Sequence, residues 1–103
     1  MVQATSVSIQ KIYVHRDEHL VGIEVYEGQR VKFYSYTYYV NMRNSWQPCV
    51  RWDNAEQQPH VDRYDENGTL IEQQHCREKN FKEVLKLVKI FRRNLAAMNL
   101  AEL

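Results

Sequence analysis

The sequence predicts one α+β domain: an antiparallel meander of five or six strands, with a single C-terminal helix packed on one face. Three observations carry this reading. Apolar and polar side chains alternate with period two over roughly residues 6–76. Polar or glycine-containing breaks divide that stretch into short runs. From about residue 80 to 100 the apolar period changes to three and four. Strands first and helix last exclude a doubly wound parallel sheet. A chain of 103 residues fits a single domain spanning 1–103.

Each element has its own signal. Residues 6–15 (SVSIQKIYVH) place Val7, Ile9, Lys11 and Tyr13 on one face, and the polar turn RDE follows. Residues 19–27 place Val21, Ile23 and Val25 on one face, and Gly28 ends that strand with turn chemistry. Residues 30–41 are dense in aromatic and β-branched types, which favours a strand. Their faces are Val31, Phe33, Ser35, Thr37, Tyr39 and Lys32, Tyr34, Tyr36, Tyr38, Val40. The first can lie under the helix. The second then leaves three tyrosines on the sheet surface, as an aromatic tiling or as a stacking platform for bases or a protein partner. MRNS breaks the chain before residues 46–54, where Pro48 belongs near a strand start or an edge. Residues 60–64 run into DENG, a hairpin signal with Gly68 free to take positive φ, and residues 69–75 return.

The helix is predicted over about 80–100. Phe81, Val84, Leu85, Val88, Phe91, Leu95 and Met98 form one apolar stripe, widened by Leu87 and Ile90. Asn80 is the N-cap, and Glu83 stands where a capping box would close. Such a helix needs the sheet to cover its apolar face.

Composition excludes several classes. Hydrophobic residues make up 44% and charged residues 26%, the range of folded globular chains. No run approaches the roughly 20 apolar residues of a membrane span, so no membrane partner is expected. MVQATSVSIQ lacks the basic-then-apolar pattern of an export signal, which makes the cytoplasm the expected compartment. Cys49 and Cys76, without a CxxC, are read as two reduced thiols rather than a bridge or zinc ribbon. GxSxG, HExxH, P-loop and GxGxxG motifs are all absent, and no cofactor is implied.

The net charge is only +1, but its distribution is uneven. Residues 77–93 hold Arg77, Lys79, Lys82, Lys86, Lys89, Arg92 and Arg93 against Glu78 and Glu83. Residues 53–72 hold six acidic side chains against Arg63. Lys82, Lys86, Lys89 and Arg93 recur at helical spacing and share one face. That face is a solvated helix surface, a phosphate-binding stripe or a docking surface for an acidic protein.

The densest run of reactive side chains is RWDNAEQQPHVDRYDENG, residues 51–68. Alternation puts Arg51 and Asp53 on one strand face, and His60, Asp62 and Tyr64 on the next. If these strands pair, Arg51, Asp53, His60 and Asp62 converge. A His beside an Asp is the unit of general acid–base catalysis, and an Arg can stabilise a phosphorane or oxyanion. That set suits metal-independent cleavage of RNA with the 2′-hydroxyl as nucleophile. A metal version would use His60, Asp62 and His75, although no zinc spacing is matched. The structural alternative makes Arg51–Asp62 a cross-strand ion pair and Asp53-Asn54 and Asp65-Asn67-Gly68 turn residues.

The same segment, through Arg51, Trp52, Asp53, Asn54, Ala55, Pro59 and His60, resembles the R-[YW]-D-N-A-x-x-x-P-H segment of the TumE-like toxin family of prokaryotic toxin–antitoxin modules. In that family the motif follows a Tyr-rich strand pair, as VKFYSYTYYV does here. After His60 the chain runs VDRYDENGTL, where the family continues into a His-rich segment. The resemblance implies a small α+β domain, a prokaryotic cytoplasmic setting and an antitoxin protein as partner, while RNA as a candidate substrate comes from the residue set above. The alternative function is a non-catalytic protein- or nucleic-acid-binding module. A homodimer paired through edge strands is a third arrangement.

Overall fold

The computed structural model describes residues 4–103, so the first three residues of the segment read for an export signal lie outside it. Six strands form one antiparallel sheet in chain order. They are β1 (Thr5–His15), β2 (Glu18–Glu27), β3 (Arg30–Met42), β4 (Ser45–Asp53), β5 (His60–Tyr64) and β6 (Leu70–His75). Every strand begins and ends within one residue of its expected bounds. The turns explain this agreement. Gly28 (φ 65°) follows β2, and Arg43 and Asn44 (φ 55° and 64°) form a two-residue loop closing Met42 onto Ser45. Gly68 (φ 78°) sits in the β5–β6 turn, where Asp65 Oδ1 accepts the N–H groups of Asn67 and Thr69. No helix among the described residues is long and apolar enough to cross a membrane.

The helix α1 (Phe81–Phe91) starts at Asn80, whose side chain accepts the Glu83 N–H at 2.9 Å. The capping box does not close, because the Glu83 carboxylate turns to Arg77. Phe81, Val84 and Val88 are buried, and Leu85, Leu87 and Phe91 pack at the margin. Ile90, expected to widen the stripe, is 61% exposed. The helix is also shorter than its periodicity predicts. The chain leaves α-geometry at Arg92 (φ 42°) and continues as 3₁₀ turns at Arg92–Ala96 and Leu100–Glu102. Leu95, Leu100 and Leu103 still reach the core, so apolar spacing persists after the helix has ended.

The expected orientation of β3 is reversed. Tyr34, Tyr36 and Tyr38 face α1 and are buried, so they are core and cannot be a stacking platform. Likewise Val21, Ile23 and Val25 lie on the open face, while Leu20, Gly22 and Glu24 lie under the helix. Two contacts account for this. A Cβ on Gly22 would stand 3.2 Å from the Phe81 ring, so the glycine makes room for the helix. The Phe81 ring in turn stacks on Tyr36 at 5.7 Å, and Tyr36 stacks on Tyr34 at 4.7 Å.

Buried tyrosines need hydroxyl partners. Tyr34 accepts the Lys79 N–H at 3.0 Å, Tyr36 donates to Glu24 at 2.8 Å, and Tyr38 donates to Glu18 at 2.5 Å. Glu18 is fully buried and is met by Arg92, with Nη2 at 2.5 Å from Oε2 and Nε at 3.3 Å from Oε1. Burial pushes the Glu18 carboxyl up. Hydrogen bonds from Arg92 and Tyr38, with the charges of Arg92 and Arg93, outweigh burial and hold it below the usual carboxylate value.

Two outcomes are expected. Phe81→Ala should lower the unfolding free energy in urea by about 3–5 kcal/mol, because a buried ring leaves a cavity between Gly22 and Tyr36. The folded Glu18 carboxyl is the stronger acid, so its stabilisation is present above the ordinary value of 4.5 and is lost as pH falls through the lower folded value. Arg92→Ala should shift acid unfolding, followed by circular dichroism, to higher pH. An unchanged acid midpoint would show that Glu18 does not depend on Arg92.

Candidate active site

The residues of the 51–68 segment divide by strand alternation. Trp52 points into the core, where its Nε1 donates to the Leu103 carbonyl at 3.3 Å. Asn54 is buried and ties β4 to β3, accepting the Tyr34 N–H at 2.8 Å and donating to the Lys32 carbonyl at 3.1 Å. Arg51, Asp53, His60 and Asp62 all face the other side, the open face of the sheet. The register makes them neighbours. Arg51 stands opposite Asp62 on β5, and Asp53 stands opposite His60.

The connection from β4 to β5 orients the histidine. Asp53 Oδ1 accepts the Ala55 N–H at 3.0 Å, the chain turns through Glu56 (φ 57°), and the Gln58 carbonyl arrives 2.9 Å from His60 Nδ1. A carbonyl can only accept, so Nδ1 carries a hydrogen and exchange with the site falls to Nε2. That nitrogen is 2.9 Å from Asp53 Oδ1 and 3.7 Å from Asp62 Oδ2. The ring is largely buried, at 14% side-chain exposure. Asp62 is 5% exposed and is held on its other oxygen by Gln73 Nε2 at 2.8 Å.

Arg51 behaves differently from the expected cross-strand ion pair. Its Nε donates to Thr37 Oγ1 at 3.1 Å, and its guanidinium lies 5.4 Å above the Tyr64 ring. Among the described residues it forms no ion pair with Asp53 or Asp62, although Asp62 is its register partner. Burial raises the Tyr64 hydroxyl, and the Arg51 charge opposes that rise. Thr37 and Gln73 are therefore parts of the site that residue chemistry alone did not single out. Their signal was parity, because Thr37, Arg51, Asp62 and Gln73 form one cross-strand row.

The other candidates lie elsewhere. His75 pairs with His60 in register on β6 but is exposed, and the donor atoms that converge belong to Asp53, His60 and Asp62. In the metal-binding alternative Asp53 thus takes the place of His75. Lys82, Lys86 and Lys89 are exposed on α1, across the sheet from His60. Arg93 lies beyond the break at Arg92 and turns to Glu18 at 3.6 Å, so the basic stripe shortens to three lysines. Cys49 and Cys76 are free thiols, and burial pushes Cys49 up to about 11, which leaves it unreactive at neutral pH. A cleft lined by Asn41, Arg43, Gln47, Glu66, Asn67 and Arg93 contains none of the four chemical residues.

The open face also carries an aromatic cluster. His19 is 4% exposed, with its ring centroid 4.1 Å from Trp46 and 5.2 Å from both Tyr13 and Tyr39. Its Nδ1 has no hydrogen-bond partner among the described residues. Burial, assisted by the Lys11 charge, lowers the pKa of His19 below the usual 6.5, which favours the neutral ring.

Residues 8–93 match the family described as a domain of unknown function, DUF7718, and the chain belongs to that family. No curated protein and no solved structure matches the chain.

The His19 cluster gives a pH test. An unfolded chain protonates this ring from its ordinary value of 6.5 downward, whereas the folded chain resists, so stability falls with pH across that window. His19→Phe keeps an aromatic ring and removes the titration. Its melting temperature should therefore fall less than that of the wild type between about pH 7 and pH 5. Parallel curves would sink this account of His19.

Proposed function

We propose that the chain is a toxin-like component of a prokaryotic toxin–antitoxin module that acts on RNA through the open sheet face. The observation that carries this reading is the His60 ring, fixed at Nδ1 by a backbone carbonyl and flanked at Nε2 by two carboxylates. Among the described residues, the terminal nitrogens of Arg51 are not spent on either carboxylate, which leaves them to a phosphate. The toxin–antitoxin setting rests on the resemblance of the Arg51–His60 segment.

The chemistry needs no metal. In the neutral ring, with its hydrogen on Nδ1, His60 Nε2 exchanges its contact with Asp53 for the 2′-hydroxyl and takes that proton, and the resulting alkoxide attacks the adjacent phosphorus. Arg51 bears the charge that develops on the phosphoryl oxygens. The bond to the 5′-oxygen breaks, and that oxygen leaves with the proton returned by His60, giving a 2′,3′-cyclic phosphate. Asp53 and Asp62 orient the ring and stabilise its charged form.

A second reading, a non-catalytic binding module, draws on apolar residues of the same face. Val7, Ile9, Ile23 and Phe33 are 61%, 69%, 40% and 39% exposed. An antitoxin protein or a second copy of the chain would cover such a surface.

His60→Ala should reduce RNA cleavage by about 10²–10⁴-fold, the usual contribution of a general base. Melting of the same variant separates chemistry from folding. Activity that falls only in proportion to the folded fraction would make His60 structural and favour the binding module. Lys86→Glu combined with Lys89→Glu should weaken salt-dependent RNA association and leave the cleavage rate at saturating RNA unchanged, since these lysines lie across the sheet.

A further inference from the structure

Asp53, His60 and Asp62 have a property that acid–base chemistry does not require. One donor atom from each lies within 4.8 Å of the other two. The three residues sit on directly paired strands, so the backbone holds their spacing. Each is also oriented by a group outside the trio. The Gln58 carbonyl takes the His60 Nδ1 hydrogen, the Ala55 N–H fixes Asp53, and Gln73 Nε2 fixes Asp62. A carbonyl on one imidazole nitrogen, leaving the other as a lone pair, is how ligating histidines are usually held.

Electrostatics point the same way. Two carboxylates converge on one imidazole nitrogen in a largely buried setting, and Asp62 is 5% exposed. Arg51, the register partner of Asp62, turns instead to Thr37 and Tyr64. A protonated His60 supplies one positive charge against two negative ones. A divalent ion with neutral His60 balances the pair fully.

We propose that Asp53, His60 and Asp62 bind one divalent transition-metal ion through one nitrogen and two carboxylate oxygens. The imidazole disfavours magnesium and calcium, which prefer all-oxygen shells, and suits zinc(II) or cobalt(II). Binding releases any proton on Nε2 to solvent, because metal and proton use the same lone pair. The metal-loaded chain therefore has no general base at His60, and zinc(II) is an inhibitor of the proposed cleavage. The binding site itself does not rest on the RNA reading.

Isothermal titration calorimetry of the full chain with zinc chloride tests the site without RNA. One ion per chain is expected, with no comparable binding of magnesium chloride. Asp53→Asn and Asp62→Asn should each weaken zinc binding tenfold or more, and Gln73→Ala by about tenfold through loss of the outer hydrogen bond. His75→Ala and Cys76→Ser should leave it within about twofold, and the cobalt(II) complex should lack a thiolate charge-transfer band. Melting in metal-free buffer identifies any variant that fails to fold. If Asp62→Asn does, Asp53→Asn and Gln73→Ala decide the matter. Absence of saturable zinc binding, insensitivity to Asp53→Asn, or loss on Cys76→Ser or His75→Ala would overturn the proposal. Zinc binding with full RNA cleavage would overturn only the inhibition. Zinc binding without any cleavage, in metal-free or loaded protein, would leave the site standing and remove the ribonuclease reading.

Discussion

Burying three tyrosines beneath one short helix is the constraint from which much of this fold follows. A buried phenol is stable only if its hydroxyl finds a partner. The partners found for Tyr36 and Tyr38 are Glu24 and Glu18, two carboxylates that face the core. A buried carboxylate then needs a cation, and Arg92 supplies it for Glu18. The chain leaves α-geometry at this same Arg92, in a positive-φ conformation that a side chain adopts only at a cost of about 1–3 kcal/mol. The end of the helix thus coincides with the residue that serves the tyrosine row beneath it.

The same row assigns the two faces of the sheet. Once Tyr34, Tyr36 and Tyr38 face the helix, Thr37 and Tyr39 must face outward, and register carries that choice across to Arg51, Asp53, His60 and Asp62. The chemical cluster and the basic helix thus stand on opposite sides of one sheet. A polyanion lying along Lys82, Lys86 and Lys89 is on the wrong side for His60.

Strand positions were legible in the sequence because turn chemistry marks their ends, and the shared face of Arg51, Asp53, His60 and Asp62 followed from period-two alternation once the two strands were taken as neighbours. The orientation of the sheet was not legible. Val21, Ile23 and Val25 are the more apolar set, yet the helix covers Leu20, Gly22 and Glu24, because Gly22 admits Phe81 and Glu24 serves Tyr36. Hydrophobicity ranks faces by side chain, and here a small residue and a charged one fit the layer above better than valine would. The end of α1 was hidden for a related reason, since Leu95 keeps helical spacing while packing from a 3₁₀ turn. Within the site, the pairing of Arg51 with Asp62 was legible, but the preference of Arg51 for Thr37 and the Tyr64 ring was not.

Strand order that follows chain order has a kinetic meaning. Every sheet pairing is between consecutive strands joined by a short connection, so each closes a small loop at low entropic cost. Such a sheet can zip from any hairpin outward, and fold topology places it among the faster β-rich architectures. The contact between Glu18 and Arg92 spans 74 residues and joins the second strand to the end of the helix. It forms only after the sheet and helix have met, which makes it a late latch that slows unfolding more than it speeds folding.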